Sequence, residues 1–349
     1  MSMKLVYLAI DAHARHCVLG SMNSRGAFLR TWTFVTCETE LIKHIEGIDA
    51  RQKILAIEEG PLAYWIAQTL RPAVTDIVIS DPRENPLIAR NAMKRDTVDV
   101  KNLCRLLRLG ELKRVYHPED DRRAVFKAAV QHYIDLRNQQ SSIKQKIKAK
   151  YRTWGVPDVH GTSLYHPEKV HEYVNKIALP AIRNQLRRLY SVLGVTVDMQ
   201  ISALKEARRL AQRYPEIKEF IKVPGVGIIG ALTFDAYIHT PHRFARKSQL
   251  WRYCKLGVTD RTSDGKSLAH KCLDKAGNGE LKAMSYRAFL GALRKKHDNE
   301  VRQFYTASLQ RTHNHTRARL NTQRKILSVL HGVWRKKEVY RPELFLGSP

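Results

Sequence analysis

Residues 4–10 read KLVYLAI, an apolar and β-branched run that stops at Asp11. A short run of this kind, closed by a charged residue, is typical of a buried strand. Residues 16–22 and 27–34 are two further strand candidates, and the Asn-Ser-Arg-Gly between them is typical of a hairpin turn. The start of the chain therefore predicts three consecutive strands of one sheet.

Strand and helix patterns then alternate through the first third of the chain. Short apolar strands are predicted at residues 53–57 and 75–80, and helices at residues 38–47, 62–70 and 97–109. The order strand, strand, strand, helix, strand, helix, strand, helix predicts a mixed α/β sheet with helices on its faces. In this respect the chain resembles ribonuclease-H-like domains.

The remaining two thirds predict a helical protein. Residues 120–150 and 168–213 lack strand patterning and are rich in Arg, Lys, Gln and Leu, which predicts two long helices. Breaks are expected at residues 154–157 (WGVP) and in a loop that ends near His166 and Pro167. After residues 223–227 (VPGVG) we expect short helices. The predicted domains are residues 1–115, a helical coiled-coil and assembly region at 116–215, and a C-terminal domain at 216–349.

The charge of the chain points to a polyanionic partner. Its 61 Lys and Arg outnumber 33 Asp and Glu, giving a net charge of +28 and a pI near 10.1. Residues 287–337 hold thirteen basic and two acidic residues, which favours contact with nucleic acid. Residues 137–155 hold six basic residues and no acid, which fits either a solvated helix face or a surface that follows phosphates.

The same composition argues against a membrane or secreted protein. No apolar run reaches the roughly 20 residues needed to cross a bilayer, and no signal peptide is evident at the start. The five cysteines are scattered without a C-x-x-C pair, so disulfides and zinc ribbons are not expected. We expect the protein to reside in a reducing cytoplasm. The pairs His13/His16 and His313/His315 belong to no fuller ligand set, and no metal is assigned to them.

Four acidic residues of the first domain fall where strands end or a helix begins. Asp11 and Glu58 follow predicted strands, and Asp96 and Asp99 stand three apart at a helix start, where both can point the same way. Carboxylates gathered in this way can hold two divalent ions, Mg²⁺ or Mn²⁺, for phosphodiester chemistry. The alternative is structural: Asp96 caps the helix and Asp11 accepts hydrogen bonds from turn amides.

These residues resemble the DEDD-type insertion-sequence transposases. The resemblance rests on Ala-Ile-Asp11, Ala-Ile-Glu58, residues 94–99 (KRDTVD) and residues 223–227, in that order, over nearly the whole chain. In that family a RuvC-like domain is joined through a helical coiled coil to a second transposase domain. The family's four acidic residues correspond to Asp11, Glu58, Asp96 and Asp99. The doublet with Glu59 departs from the family pattern, and the strand register favours Glu58.

The resemblance also implies a serine nucleophile in the second domain. Residues 256–259 (LGVT) and 273–278 (LDKAGN) are similar to the segments that flank the family's serine, which places Ser263 at the nucleophile position and leaves Ser267 as the alternative. Asp274 stands where the family commonly has Ser. A serine in a loop with Lys266 and Lys275 can approach a phosphate whose charge the lysines screen, although Ser and Gly also occur in any surface turn.

The VPGVG segment is a second candidate contact with nucleic acid. Gly225 and Gly227 would let backbone amides approach a phosphate at the start of the next helix, as helix-hairpin-helix modules do. A tight turn between two packed helices explains the same glycines equally well. Both interpretations stay open at the level of the sequence.

Together these features predict a DNA recombinase of a mobile element. The resemblance implies guidance by a structured RNA that pairs with donor and target DNA, a phosphoserine intermediate, and a dimer or tetramer, in a prokaryotic, nucleoid-associated protein. The lack of a helix-turn-helix or zinc finger agrees with recognition by RNA pairing. The alternatives are a metal-dependent nuclease resembling a Holliday-junction resolvase, which would form no protein–DNA adduct, and a catalytically inactive nucleic-acid-binding relative.

Overall fold

The computed structural model describes residues 3–81, 96–118, 120–259, 262–263, 266–267 and 272–346. Within them the chain forms two units, Met1–Glu119 and Asp120–Pro349. The division of the second unit into an assembly region and a C-terminal domain stays a prediction.

The first unit contains a mixed sheet of five strands. They are β1 (Met3–Ala12), β2 (His16–Asn23), β3 (Phe28–Val35), β4 (Ala50–Glu58) and β5 (Asp76–Ser80). Their order is β3-β2-β1-β4-β5, with β1 antiparallel to β2 and parallel to β4, and β4 parallel to β5. All five predicted strands are confirmed, because alternating apolar patterns between turn residues are easily read from sequence.

Helices cover both faces of this sheet. α1 (Glu38–Glu46) and α2 (Ala63–Leu70) pack on one face, and α3 (Asp96–Leu109) packs on the other. Successive side chains of β1 alternate between the two faces. Those facing α1 and α2 are Val6, Leu8 and Ile10, whereas Ala9 faces α3 with Val100, Leu103 and Cys104. Cys104 is thus a core residue, as is Cys254 of the second unit.

A long helical hairpin begins the second unit. α4 (Asp121–Thr153) runs antiparallel to α6 (Pro180–Ala211), with hydrogen bonds from Gln140 to Gln200 and from Lys150 to Gln185. The expected helix over residues 168–213 was wrong, because a short α5 (Val170–Asn175) ends before α6 begins. Pro180 lacks an amide hydrogen and holds Leu179 in an extended conformation, so α6 starts there.

Within the described ranges, the rest of the second unit forms helices and four strands of two residues each. Its helices are α7 (Glu216–Lys222), α8 (Gly227–Ile238), α9 (Lys247–Tyr253), α10 (Gly279–Leu293), α11 (Glu300–Thr312), α12 (His315–Lys336) and α13 (Glu343–Leu346). The expectation of short helices was wrong for α12, which has 22 residues. Phe220, Phe234 and Trp334 pack edge to face in a core that Phe126 of α4 also enters. None of the helices in the described ranges is both long and apolar enough to cross a membrane.

Candidate functional site

Asp11 and Glu58 lie at the same edge of the first unit's sheet. Ile10 of β1 pairs with Ile57 of parallel β4, so Asp11 and Glu58 occupy the next position on each strand. Alternation places both on the face covered by α3. Glu59 is one residue further, is exposed, and donates its amide to the carbonyl of Ser80.

The start of α3 brings two more carboxylates to this edge. Asp96 and Asp99 are both in the first turn of α3, where the helix dipole favours negative charge. Burial raises the pKa of Asp11, and the charges of Asp96 and Asp99 raise it further, while His13 opposes the rise. These charge interactions place Asp11, Asp96 and Asp99 in one electrostatic site. Lys94 and Arg95 of the quoted motif lie outside the described residues.

His13 and His16 lie beside these carboxylates, so the expectation that the two histidines belong to no fuller ligand set was wrong. Nε2 of His13 lies 3.4 Å from Oδ2 of Asp11 and 3.6 Å from Oδ2 of Asp96. Nε2 of His16 is also 3.6 Å from Oδ2 of Asp96. Both histidines flank the β1–β2 turn that follows Asp11, and this closeness to Asp11 in the sequence could have indicated that they belong to the site. Their partner is eighty residues away in sequence, so the cluster itself could not be read from spacing.

The donor set suits a divalent cation. Four carboxylates supply the hard oxygen ligands that Mg²⁺ and Mn²⁺ accept. Burial and neighbouring acids both disfavour the ionised form of Asp11, as the raised pKa indicates. A cation would relieve that unfavourable concentration of negative charge. Asp11, Glu58, Asp96 and Asp99, which we call the carboxylate cluster, therefore have the ligand chemistry that a divalent cation requires.

Ser263 lies in a small pair of strands in the second unit. β7 (Thr262–Ser263) pairs with β8 (Lys266–Ser267), and Ser263 stands opposite Lys266 in the backbone register. Outside this pair, β6 (Val258–Thr259) is antiparallel to β9 (Cys272–Leu273). The backbone thus brings the candidate nucleophile beside one of the two lysines. The side chains of Ser263, Lys266 and Ser267 lie outside the described part of the structure.

Asp274 and Gly277 anchor the segment that follows β9. Asp274 accepts hydrogen bonds from Nε of Arg252 at 2.8 Å and from the amide of Ala276 at 2.9 Å, and these bonds lower its pKa. Gly277 has a φ of +109°, and a Cβ there would lie 2.4 Å from the carbonyl oxygen of Tyr253. Asp274, at the position where the resemblance led us to expect Ser, therefore stabilises this turn through its two hydrogen bonds. Lys275 between them is exposed.

A second contact holds the start of the same loop. Nε of Arg324, on α12, donates to the carbonyl of Leu256 at 2.8 Å, two residues before β6. Burial lowers the pKa of Arg324, and its guanidinium lies over the ring of Trp251. Arg324 was predicted only as one of many basic residues. The structure shows that Arg324 holds the backbone at Leu256, two residues before the strand β6.

The two glycines of the VPGVG segment have different surroundings. A Cβ on Gly225 would lie 2.0 Å from the carbonyl oxygen of Ala288 and 2.6 Å from the amide of Ala292, both in α10. Around Gly227, at the start of α8, there is open space. Both have positive φ, +84° and +55°. Packing against α10 therefore accounts for Gly225, and Gly227 is the position with room for a ligand.

Three arginines from different helices lie close enough to Tyr133 of α4 to affect its pKa. Nη2 of Arg137 lies 2.9 Å from Oε2 of Glu280, and Nη2 of Arg287 lies 3.6 Å from the same oxygen. Arg208 joins them in lowering the pKa of Tyr133, which burial raises. Nη1 of Arg137 is buried without a hydrogen-bond partner in the described part of the chain. We call Arg137, Arg208 and Arg287 the arginine cluster; their positive charge exceeds what Glu280 balances.

The basic residues of the C-terminal stretch divide into two groups. Four are partly buried; among them Arg302 donates to the carbonyls of Leu293 and Lys295 at the end of α10. The exposed ones are Arg287, Arg294, Lys295, Lys296, Arg311, Arg317, Arg335, Lys336 and Lys337. Thus most of the predicted cationic surface is available to phosphates, and part of it stabilises the fold.

Comparison with known sequences shows which proteins this chain is similar to. Residues 218–306 match the family model described as "Transposase IS116/IS110/IS902 family". The chain is also 22% identical over 298 residues to "Putative transposase y4qE" of Sinorhizobium fredii (strain NBRC 101917 / NGR234), covering 80% of this chain and 69% of that protein. Both similarities point to a transposase as the class of protein that this chain resembles.

Proposed function

We propose that this transposase cuts and rejoins DNA strands through a covalent serine intermediate, assisted by divalent metal at the carboxylate cluster. The observation that carries the proposal is the approach of Asp11 and Asp96 to the same His13 at the edge where Glu58 also ends its strand, with Asp99 in the same helical turn as Asp96. If Asp96 only capped the helix, the other carboxylates would not need to lie near it. The five-stranded sheet with this acidic edge supports a RuvC-like identity for the first unit.

The metal part of the proposal assigns a role to each carboxylate. Asp11 and Glu58 hold their positions through the backbone of neighbouring strands, and Asp96 and Asp99 through the first turn of α3. Divalent ions bound there would stabilise the charge on the attacking and leaving oxygens of a phosphodiester exchange. The protein contributes the fixed arrangement of the four acids, since rigid strand and helix ends need no reorganisation during the reaction.

The covalent step is assigned to Ser263. Its Oγ forms a bond to the phosphorus of a DNA phosphodiester and gives up its proton to a base, while the displaced sugar oxygen leaves and is protonated. In the reverse step a sugar hydroxyl of the exchanged strand attacks the phosphoserine and releases Ser263. Lys266, its partner in the backbone register, and Lys275 would screen the phosphate charge.

The arginine cluster is the proposed phosphate contact of the second unit. Two guanidinium groups share the one carboxylate of Glu280, so a phosphate would complete their charge balance. Arg287→Ala should weaken nucleic acid binding for all sequences and reduce the salt slope by about 1. Arg122→Ala is the matched control, because Arg122 is an exposed helix arginine that pairs with Asp120. Equal salt slopes for the two variants would contradict the contact.

Guidance by a structured RNA and assembly as a dimer or tetramer complete the proposal. The described helices and small strands supply cationic surface for backbone contact, which suits a protein that leaves sequence reading to base pairing. Gly227 has space at the start of α8 for a phosphate of either nucleic acid. Purification from cells that carry the flanking DNA should recover one discrete RNA encoded beside the gene; a mixture of cellular RNA would contradict guidance.

Substitution of Asp11 tests the catalytic proposal. Asp11→Asn should abolish strand exchange on element DNA supplied with the co-purified RNA, while nucleic acid binding is kept. Asp76→Asn is the control, because Asp76 begins β5 at the opposite edge of the same sheet and pairs with Arg114 on the surface. Exchange at the wild-type rate in Asp11→Asn would refute the metal assignment. Free cleaved ends without an adduct would instead favour a resolvase-like nuclease.

A further inference from the structure

The imidazoles of His13 and His16 both face Oδ2 of Asp96, which belongs to a different element of the fold. His13 follows β1 and His16 begins β2, whereas Asp96 begins α3 on the adjacent face of the sheet. The potential ligand atoms of these three residues all lie within 4.8 Å of one another. Because both imidazole Nε2 atoms stand 3.6 Å from Oδ2 of Asp96, the three groups surround a common point.

Hydrogen bonding alone explains this arrangement poorly. The two 3.6 Å separations are longer than the 2.7–3.2 Å of ordinary N–H···O bonds. The ring centroids of His13 and His16 are 5.1 Å apart, so two protonated imidazoles there would repel each other. A shared cation would attract both rings and the carboxylate at once.

The geometry also leaves room for an ion. Ligand atoms about 2.0–2.1 Å from one metal are at most about 4.2 Å from each other, so a small contraction of the cluster suffices. The side chains of His13, His16 and Asp96 are 46%, 47% and 46% exposed, and rotation toward a common ion is not blocked by core packing. Asp11, 3.4 Å from His13, links this position to the carboxylate cluster.

We propose that His13, His16 and Asp96 form a nitrogen-rich position of the metal centre that takes a first-row transition-metal ion. Imidazole nitrogen binds Co²⁺ and Zn²⁺ well and Mn²⁺ more weakly, since Mn²⁺ accepts oxygen and nitrogen ligands, whereas Mg²⁺ prefers oxygen ligands and retains water. The inference rests on the proposed function, since it extends the carboxylate cluster. It predicts that the two histidines set which metal the protein prefers.

Metal titration of the full chain without a histidine tag tests this directly. The probes are Co²⁺, followed by its visible absorption, and Mn²⁺ and Mg²⁺, followed by calorimetry. The double variant His13→Gln/His16→Gln should lower affinity for Co²⁺ by at least about 10-fold, since loss of even an outer-shell partner of a metal ligand costs that much. It should lower affinity for Mn²⁺ less, and leave that for Mg²⁺ within about twofold. Because both histidines are on the surface, the variant should fold, and circular dichroism checks this.

His160→Gln is the matched control. His160 also faces an aspartate, Asp158, at 2.7 Å, but it is 73% exposed and no third ligand group joins it among the described residues. Its affinity for Co²⁺ should equal that of the wild type. The same fall as in the double variant would mean that surface histidines bind Co²⁺ nonspecifically, and this would overturn the inference.

Electron spin-echo spectra of bound Mn²⁺ provide an independent measurement, with ¹⁴N coupling expected in the wild type and lost in the double variant. Unchanged Co²⁺ affinity in the double variant, or no ¹⁴N coupling in the wild type, overturns the inference. If Asp11→Asn still removes Mg²⁺ binding in that case, the proposed function stands. If the wild type binds none of the three ions, both the inference and the metal role in the proposed function fall.

Discussion

Replacement of Gly225 by alanine should destabilise the second unit strongly. The added Cβ would lie 2.0 Å from the carbonyl oxygen of Ala288 and 2.6 Å from the amide of Ala292. Both are helix backbone atoms, so no side-chain rotation relieves the contact. A left-handed residue costs about 1–2 kcal/mol, and overpacking adds about 1–3 kcal/mol. The expected loss of unfolding free energy is therefore about 2–5 kcal/mol.

Gly227→Ala provides the comparison within the same segment. Its φ is also positive, but a Cβ there meets no atom within 4 Å, so only the backbone cost of about 1–2 kcal/mol applies. The two variants should differ by about 2–12 °C in Tm, measured by circular dichroism and differential scanning calorimetry. Equal melting temperatures would refute the packing role of Gly225. Loss of nucleic acid binding in folded Gly227→Ala would support a phosphate contact at Gly227.

Two arginines carry further predictions. Burial raises the pKa of Asp235 and Arg123 opposes the rise, so Arg123→Met should cost about 3–5 kcal/mol. A carboxyl whose pKa is raised in the folded state stabilises the fold at low pH, and this contribution is lost as the pH rises through the folded pKa. The loss of unfolding free energy in Arg123→Met, measured by urea unfolding, should therefore be larger at pH 8 than at pH 5. Arg324→Met should reduce DNA attachment to Ser263 while binding is unchanged, since it removes the bond to Leu256 together with the guanidinium's contacts to Trp251 and Asn321. Attachment at the wild-type level would contradict this positioning role.

The N-terminal fold was readable because its patterns are local. Alternating apolar residues between turns define each strand, and the observed bounds of β1 and β5 differ from expectation by no more than two residues. Pro180 shows how a single residue can override composition: the helix-forming residues on either side of it do not form one helix. Strands of two residues such as β7 have no period to detect, so sequence patterning missed them.

Only the part of the candidate site that lies at the ends of strands and helices could be predicted from the sequence. Strand ends and a first helical turn made Asp11, Glu58, Asp96 and Asp99 the predicted metal ligands, and this assignment stays a prediction. The approach of His13 and His16 to Asp96 depends on where α3 crosses the sheet, which spacing does not encode. Gly225 was equally ambiguous, because its close approach to α10 involves residues more than sixty positions away.

The covalent link between protein and DNA is the most direct test of the proposed chemistry. Wild-type protein would be incubated with its co-purified RNA, divalent metal and element DNA, then digested and analysed by mass spectrometry. A nucleotide adduct on the peptide that contains Ser263 is expected, absent in Ser263→Ala and retained in Ser267→Ala. An adduct that persists in Ser263→Ala, or strand exchange without any adduct, would contradict the serine mechanism.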